Sequence, residues 1–123
     1  MMPNSHCVSD LHYHIVFCPK YRARSILASD QAIFDREFRH AIWAHEGSVQ
    51  ELAIMPDHVH LLVELPPSAY LPKVISDLKI QTSRYFPIHP FWSRGYFVSS
   101  VGPASNFAVA AYIKKQSHGD PIK

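Results

Sequence analysis

Cysteine is nearly missing from this chain. Its two residues, Cys7 and Cys18, provide neither a disulfide framework nor the spacing of a metal knuckle. Glycine is also scarce, four residues against ten prolines, so turns and stops abound while flexible low-complexity linkers do not. No apolar run approaches the length of a membrane span, and Met1 to Asp10 lacks the apolar centre of a signal peptide. A cytoplasmic protein is therefore expected. No internal repeat is visible. A strong charge of one sign is absent too: 12 basic residues face 10 acidic ones, a net charge of +2 that permits nucleic-acid binding without requiring it. At 123 residues the chain suits one domain, 1–123, with a single core.

Histidine, by contrast, is plentiful at nine residues. Two of them open the stretch around which the chain is organised, Met55-Pro56-Asp57-His58-Val59-His60-Leu61-Leu62-Val63-Glu64. Strict alternation puts His58, His60, Leu62 and Glu64 on one face of a strand and Val59, Leu61, Val63 and Leu65 on the other. Side chains two residues apart on one face stand about 7 Å apart, close enough for two imidazoles to lean onto one divalent ion. Spacing alone favours the plainer reading, a partly exposed strand that carries two histidines by chance. Pro56-Asp57 reads as the tight turn of a hairpin.

Other elements follow from periodicity. Leu11 to Cys18 alternates as a first strand with Leu11, Tyr13, Ile15 and Phe17 on its apolar side. Lys20-Tyr21-Arg22-Ala23-Arg24 then groups three cations around an aromatic, suited to gripping phosphates and stacking on a base, or simply to a solvated turn. A helix from Ser29 or Asp30 to about Glu46 carries the stripe Ile33, Phe34, Glu37, Phe38, Ala41 and Ile42, with Gly47 as its stop. Ser48 to Met55 forms a second strand. A second helix runs from Tyr70 to Phe86, with Val74, Ile75, Leu78, Thr82 and Tyr85 inward and Lys73, Lys79 and Arg84 outward. Tyr96 to Val101 is a fourth strand. A last helix, capped by Ser105 or Asn106, runs to about Ser117 and places Val109, Tyr112, Ile113 and Gln116 on one side, so that the polar tips of Tyr112 and Gln116 can meet. Pattern alone also allows Tyr112 to be a half-buried aromatic.

The order β-α-β-β-α-β plus a helix predicts an α+β fold, a ferredoxin-like (RRM-like) antiparallel sheet over 10–102 with two helices on one face. Residues 103–118 form the appended helix. The second face of the sheet is expected to be free for a ligand.

Four blocks in this order resemble one family: Tyr13-His14-Ile15-Val16-Phe17 with Lys20-Tyr21-Arg22, the His58-Val59-His60 strand, Trp92-Ser93-Arg94-Gly95-Tyr96, and Tyr112-Ile113-Lys114-Lys115-Gln116. Together they are similar to the single-tyrosine HUH transposases, the small transposase A and REP-associated tyrosine transposase proteins, over residues 11 to 117. The resemblance implies cutting and rejoining of single-stranded DNA at hairpin-marked ends through a 5′-phosphotyrosine. It implies Tyr112 as nucleophile, with His58, His60 and Gln116 as ligands of Mg²⁺ or Mn²⁺. It also implies a homodimer whose tyrosine helix can serve the partner's histidines. Lys20, Tyr21, Arg22, Lys79, Arg84 and Arg94 are the candidates for holding DNA. Two features depart from the family's pattern, Ile80 where glycine is common and the apolar, alanine-rich run from Pro103 to Ala111. Competing readings are a host-retained nuclease of REP palindromes with the same chemistry, a DNA-binding relative without a working metal site, and a metal-binding ferredoxin-like domain unconnected to nucleic acid.

Overall fold

A computed structural model describes residues 11–119. Cys7 and the rest of the N-terminal segment lie outside them. Four strands, β1 (Leu11–Phe17), β2 (Ser48–Met55), β3 (His58–Leu65) and β4 (Phe97–Val101), form one antiparallel sheet in the order β2-β3-β1-β4. With α1 (Gln31–Ala44) and α2 (Leu71–Ser83) this is the expected α+β, ferredoxin-like arrangement. Helix α3 (Pro103–Gly119) follows β4.

The alternation in β3 divides two cores. Val59, Leu61, Val63 and Leu65 meet Ile15 and Phe17 of β1 and the buried stripes of α1 and α2. Glu37 interrupts the α1 stripe yet faces inward, where Tyr85 Oη donates to its carboxylate at 2.9 Å and Arg36 Nη2 at 3.2 Å. Thr82 is buried in α2, its hydroxyl donating to the Leu78 carbonyl and accepting from Trp92 Nε1, both at 2.9 Å. Trp92 is a core residue.

The second sheet face is not free, contrary to expectation. Ile113 of α3 is fully buried there in a small core with Ala53, Met55, Leu62 and Val101, and Val109 and Ala110 pack at its edge. Ala53 of β2 lies in this contact with the helix, and what stays open is the end bearing His58 and His60. Of the alanine-rich run from Pro103 to Ala111, Val109 and Ala110 pack here while most of the rest is exposed, and Lys114 further along pairs with Glu51 of β2 at 3.8 Å. Helix α3 begins at Pro103, two residues before the expected caps, because proline suits the first turn, where no N–H is needed.

Other boundaries move for local reasons. Helix α1 ends at Ala44, and the left-handed residue after it is Glu46 at φ 66°, not Gly47. Gly47 is required instead by close approach: a Cβ there would meet the Glu64 carbonyl oxygen and stand 2.7 Å from Leu65 Cδ2. Helix α2 stops at Ser83, before the prolines, and Tyr96 lies just outside β4.

Candidate active site

Strand β3 is interior to the sheet, so hydrogen bonds to β2 and β1 on its two sides fix the direction of its side chains. His58 and His60 project from its α3 side with ring centroids 4.8 Å apart. Tyr112 comes to them from α3, edge-on to His60 at a centroid distance of 5.8 Å. It is half-exposed, so the ring is not locked in the interior. One chain thus brings both histidines and the tyrosine to one open cleft of about 510 Å³, lined also by Cys18, Arg22, Ser93 and Phe97.

Each imidazole has one nitrogen engaged from behind. Asp57 Oδ1 accepts from His58 Nδ1 at 2.7 Å. His60 Nδ1 lies 3.0 Å from His14 Nε2, and those two rings stack at 5.2 Å. Both Nε2 atoms are left for a ligand. Burial, then the nearby His58 and His14, push His60 down to about 4, so near neutral pH it is an uncharged ring with a lone pair to give. Burial pushes Asp57 up, but the His58 hydrogen bond and charge, with Arg22 adding to them, outweigh it and hold the carboxyl below its ordinary value. Arg22 Nη2 is 3.4 Å from Asp57.

This donor set fits a divalent cation that accepts imidazole nitrogen. Among the described residues no third His, Cys, Asp or Glu joins the pair, which leaves further positions to an amide oxygen, water or phosphate. Gln116 is half-buried one turn beyond Tyr112, and no hydrogen bond links it to His58 or His60.

The residues expected to hold DNA are dispersed. Arg22 lines the histidine cleft. Lys20 and Tyr21 border a neighbouring apolar cleft of about 290 Å³ that also includes the stacked rings of Phe86 and Phe91. Tyr21 and Arg22 both have left-handed backbones, φ 63° and 53°, which turns the Tyr21 ring into solvent. Arg94 is exposed between Ser93 and Gly95 of the histidine cleft wall. Arg84 stands on the helical layer, 3.7 Å from Glu37. Lys79 does not look outward as expected. Its ammonium donates to the carbonyls of Ser93, Arg94 and Gly95 at 2.9, 3.2 and 3.2 Å, beneath the loop that walls the cleft.

Two site residues escaped the sequence reading. Asp57 was legible only as a turn former, and His14 only as a polar position on β1. The signal for His14 was the register: Val16 pairs with His60 and His14 with Leu62, which places His14 diagonally beside His60 on the same face.

Known proteins resemble this chain in sequence and in fold. The family model described as "Transposase IS200 like" matches residues 7–116. The transposase for insertion sequence element IS200 of Salmonella typhimurium is 28% identical over 121 residues, with 89% of this chain and 79% of that protein covered. The ISDra2 transposase TnpA of Deinococcus radiodurans is 29% identical over 121 residues, covering 89% and 86%. Among solved structures, one from Deinococcus radiodurans R1, described provisionally as a transposase, superimposes with a TM-score of 0.72 at 24% identity, covering 94% of this chain and 98% of that one. A REP-associated tyrosine transposase bound to a REP hairpin gives 0.75 at 12% identity, covering 91% and 70%. These two establish likeness of fold.

Proposed function

The chain belongs to the IS200-like transposase family, and from that premise we propose that it cuts and rejoins single-stranded DNA at hairpin-marked ends, with Tyr112 as the nucleophile. The observation that carries this reading is the half-exposed phenol of Tyr112 set against His60 at the mouth of a cleft.

In the proposed reaction the Tyr112 oxygen, having given up its proton, attacks a backbone phosphorus. A bond from that oxygen to phosphorus forms, the bond from phosphorus to the 3′ oxygen breaks, and the departing 3′-hydroxyl takes up a proton. The DNA 5′-phosphate stays on the tyrosine, so another strand's 3′-hydroxyl can reverse the step without nucleotide hydrolysis. His58 and His60, with Gln116, are the residues that would hold Mg²⁺ or Mn²⁺. When bound, such an ion supplies positive charge to polarise the scissile phosphate. Arg22, on the cleft wall, is placed to receive a phosphate, and exposed Tyr21 to stack on an unpaired base. A fold neighbour solved with a REP hairpin supports hairpin DNA as the partner. The homodimer in this reading rests on the family resemblance.

Incubation with hairpin-bearing single-stranded DNA and Mn²⁺ tests it. A protein–DNA adduct that survives SDS is expected, and Tyr112→Phe should abolish it while leaving DNA binding intact. An adduct that persists in Tyr112→Phe, or none with the DNA ends that flank the gene, would overturn the assignment. The same flanking DNA separates a mobile element from a nuclease kept by the host for REP palindromes.

A further inference from the structure

The two cleft histidines are held from behind in different ways. Behind His58 stands Asp57, an ionised carboxylate that can only accept, so the His58 proton must sit on Nδ1. Behind His60 stands another imidazole, His14, which can accept or donate. One proton lies in the 3.0 Å gap between His60 Nδ1 and His14 Nε2. If it belongs to His60, Nε2 of that ring is a bare lone pair facing the cleft. If it belongs to His14, neutral His60 carries its own proton on Nε2 and cannot ligate.

We propose that His14 is the positioning residue of this site: its Nε2 accepts the His60 Nδ1 proton and so holds His60 in the tautomer able to bind a divalent cation. The inference rests on the reading of His58 and His60 as metal ligands. His14 is well placed for the task. Its strand β1 lies beside β3 and is paired on its other edge by β4, so the backbone is held from both sides. Its ring is pinned between the stack on His60 and an edge contact with Phe97 at 6.0 Å. Neither contact alone defines the proton's place. The acceptor nitrogen does, and this makes the role separable from packing.

Mn²⁺ binding measured by the EPR signal of the free ion separates the two. His14→Phe keeps a stacked ring and removes the acceptor; it should weaken Mn²⁺ binding by about 10–100-fold, the usual effect of losing a partner behind a ligating histidine. His14→Gln offers an amide oxygen near the place of Nε2 and should restore wild-type affinity. Unchanged affinity in His14→Phe, or equal loss in both variants, would overturn the role. His58→Ala is the control for the site itself. Binding that His58→Ala abolishes and His14→Phe spares refutes His14 alone, whereas wild-type protein that takes up no Mn²⁺ refutes the metal site and His14 together. Long-range ¹H–¹⁵N spectra of wild-type protein without added metal give an answer free of any variant. The His60 proton is expected on Nδ1, and finding it on Nε2 would refute the proposal.

Discussion

Tyr112 meets His60 edge to face, ring centroids 5.8 Å apart and planes at 84°, although the two residues belong to different elements. The contact is held by the next residue along. Ile113 is fully buried in the small core under α3, so the helix is pinned one position from Tyr112. Ile113→Ala should cost about 2–5 kcal/mol of local packing and release α3 from the sheet. Adduct yield is expected to fall steeply and Mn²⁺ affinity by less, since in the proposed site His58 and His60 stay on β3 and Gln116 alone leaves with α3. Wild-type adduct yield in this variant would show that Tyr112 is positioned by something else.

Lys79 and Arg94 should behave differently on DNA although both were candidates from sequence. Arg94 is exposed, and removing one phosphate contact from a single strand reduces the salt slope of binding by about 0.7. Lys79 is occupied by three loop carbonyls. Lys79→Met should lower thermal stability by about 1–3 kcal/mol through those lost hydrogen bonds and leave the salt slope as it is. Binding isotherms over a range of salt concentrations decide the matter, and a shallower slope in Lys79→Met would place its charge on DNA.

Neighbouring residues 46 and 47 offer an inverted pair of substitutions. Gly47→Ala puts a methyl against the Glu64 carbonyl, a backbone atom that cannot step aside, and should cost about 1–3 kcal/mol. Glu46→Gly removes a side chain from a left-handed backbone and should leave the melting temperature unchanged or raised. Thermal melts of both variants test this. A Gly47→Ala protein as stable as wild type would mean that the α1–β2 turn moves freely away from β3.

Acid should weaken the fold through two carboxyls outside the cleft. Burial pushes Glu37 up, but hydrogen bonds from Tyr85 and Arg36, aided by the charges of Arg36 and Arg84, hold it below its ordinary 4.5. Burial likewise opposes, and His45 and Lys73 outweigh it, at Asp77, held below 3.8. Since both folded-state values lie below the unfolded ones, the unfolded chain takes up protons first. The stability they contribute is complete above the unfolded-state values and is lost as pH falls through the folded ones. Urea midpoints should therefore drop as pH is lowered from about 4.5, and Glu37→Gln should flatten that decline. A wild-type midpoint indifferent to pH in that window would contradict the two networks.

The strands, the two sheet-packed helices and the pairing of His58 with His60 were legible because apolar alternation repeats every two residues and the helical stripe every three to four. Nothing in that pattern reveals what stands behind a histidine. His14 became part of the site through strand register, and Asp57 through the direction in which a turn residue points. Lys79 was misread because a long cationic side chain on a helix flank looks solvated whether or not a loop folds over its tip. The side of α3 that carries Val109 and Ile113 was legible, and those residues do meet the sheet; what the sequence hid is that this contact covers part of the sheet face expected to be free.

The site joins two parts of unequal firmness. Its histidines ride on β1 and β3, the strands laddered on both edges, whereas its tyrosine rides on α3, held by a handful of side chains. Amide protons of α3 should therefore exchange with heavy water well before those of the central strands, as a separate unit of opening. The imidazoles would keep their places through such an excursion, and the phenol would come and go together with Gln116.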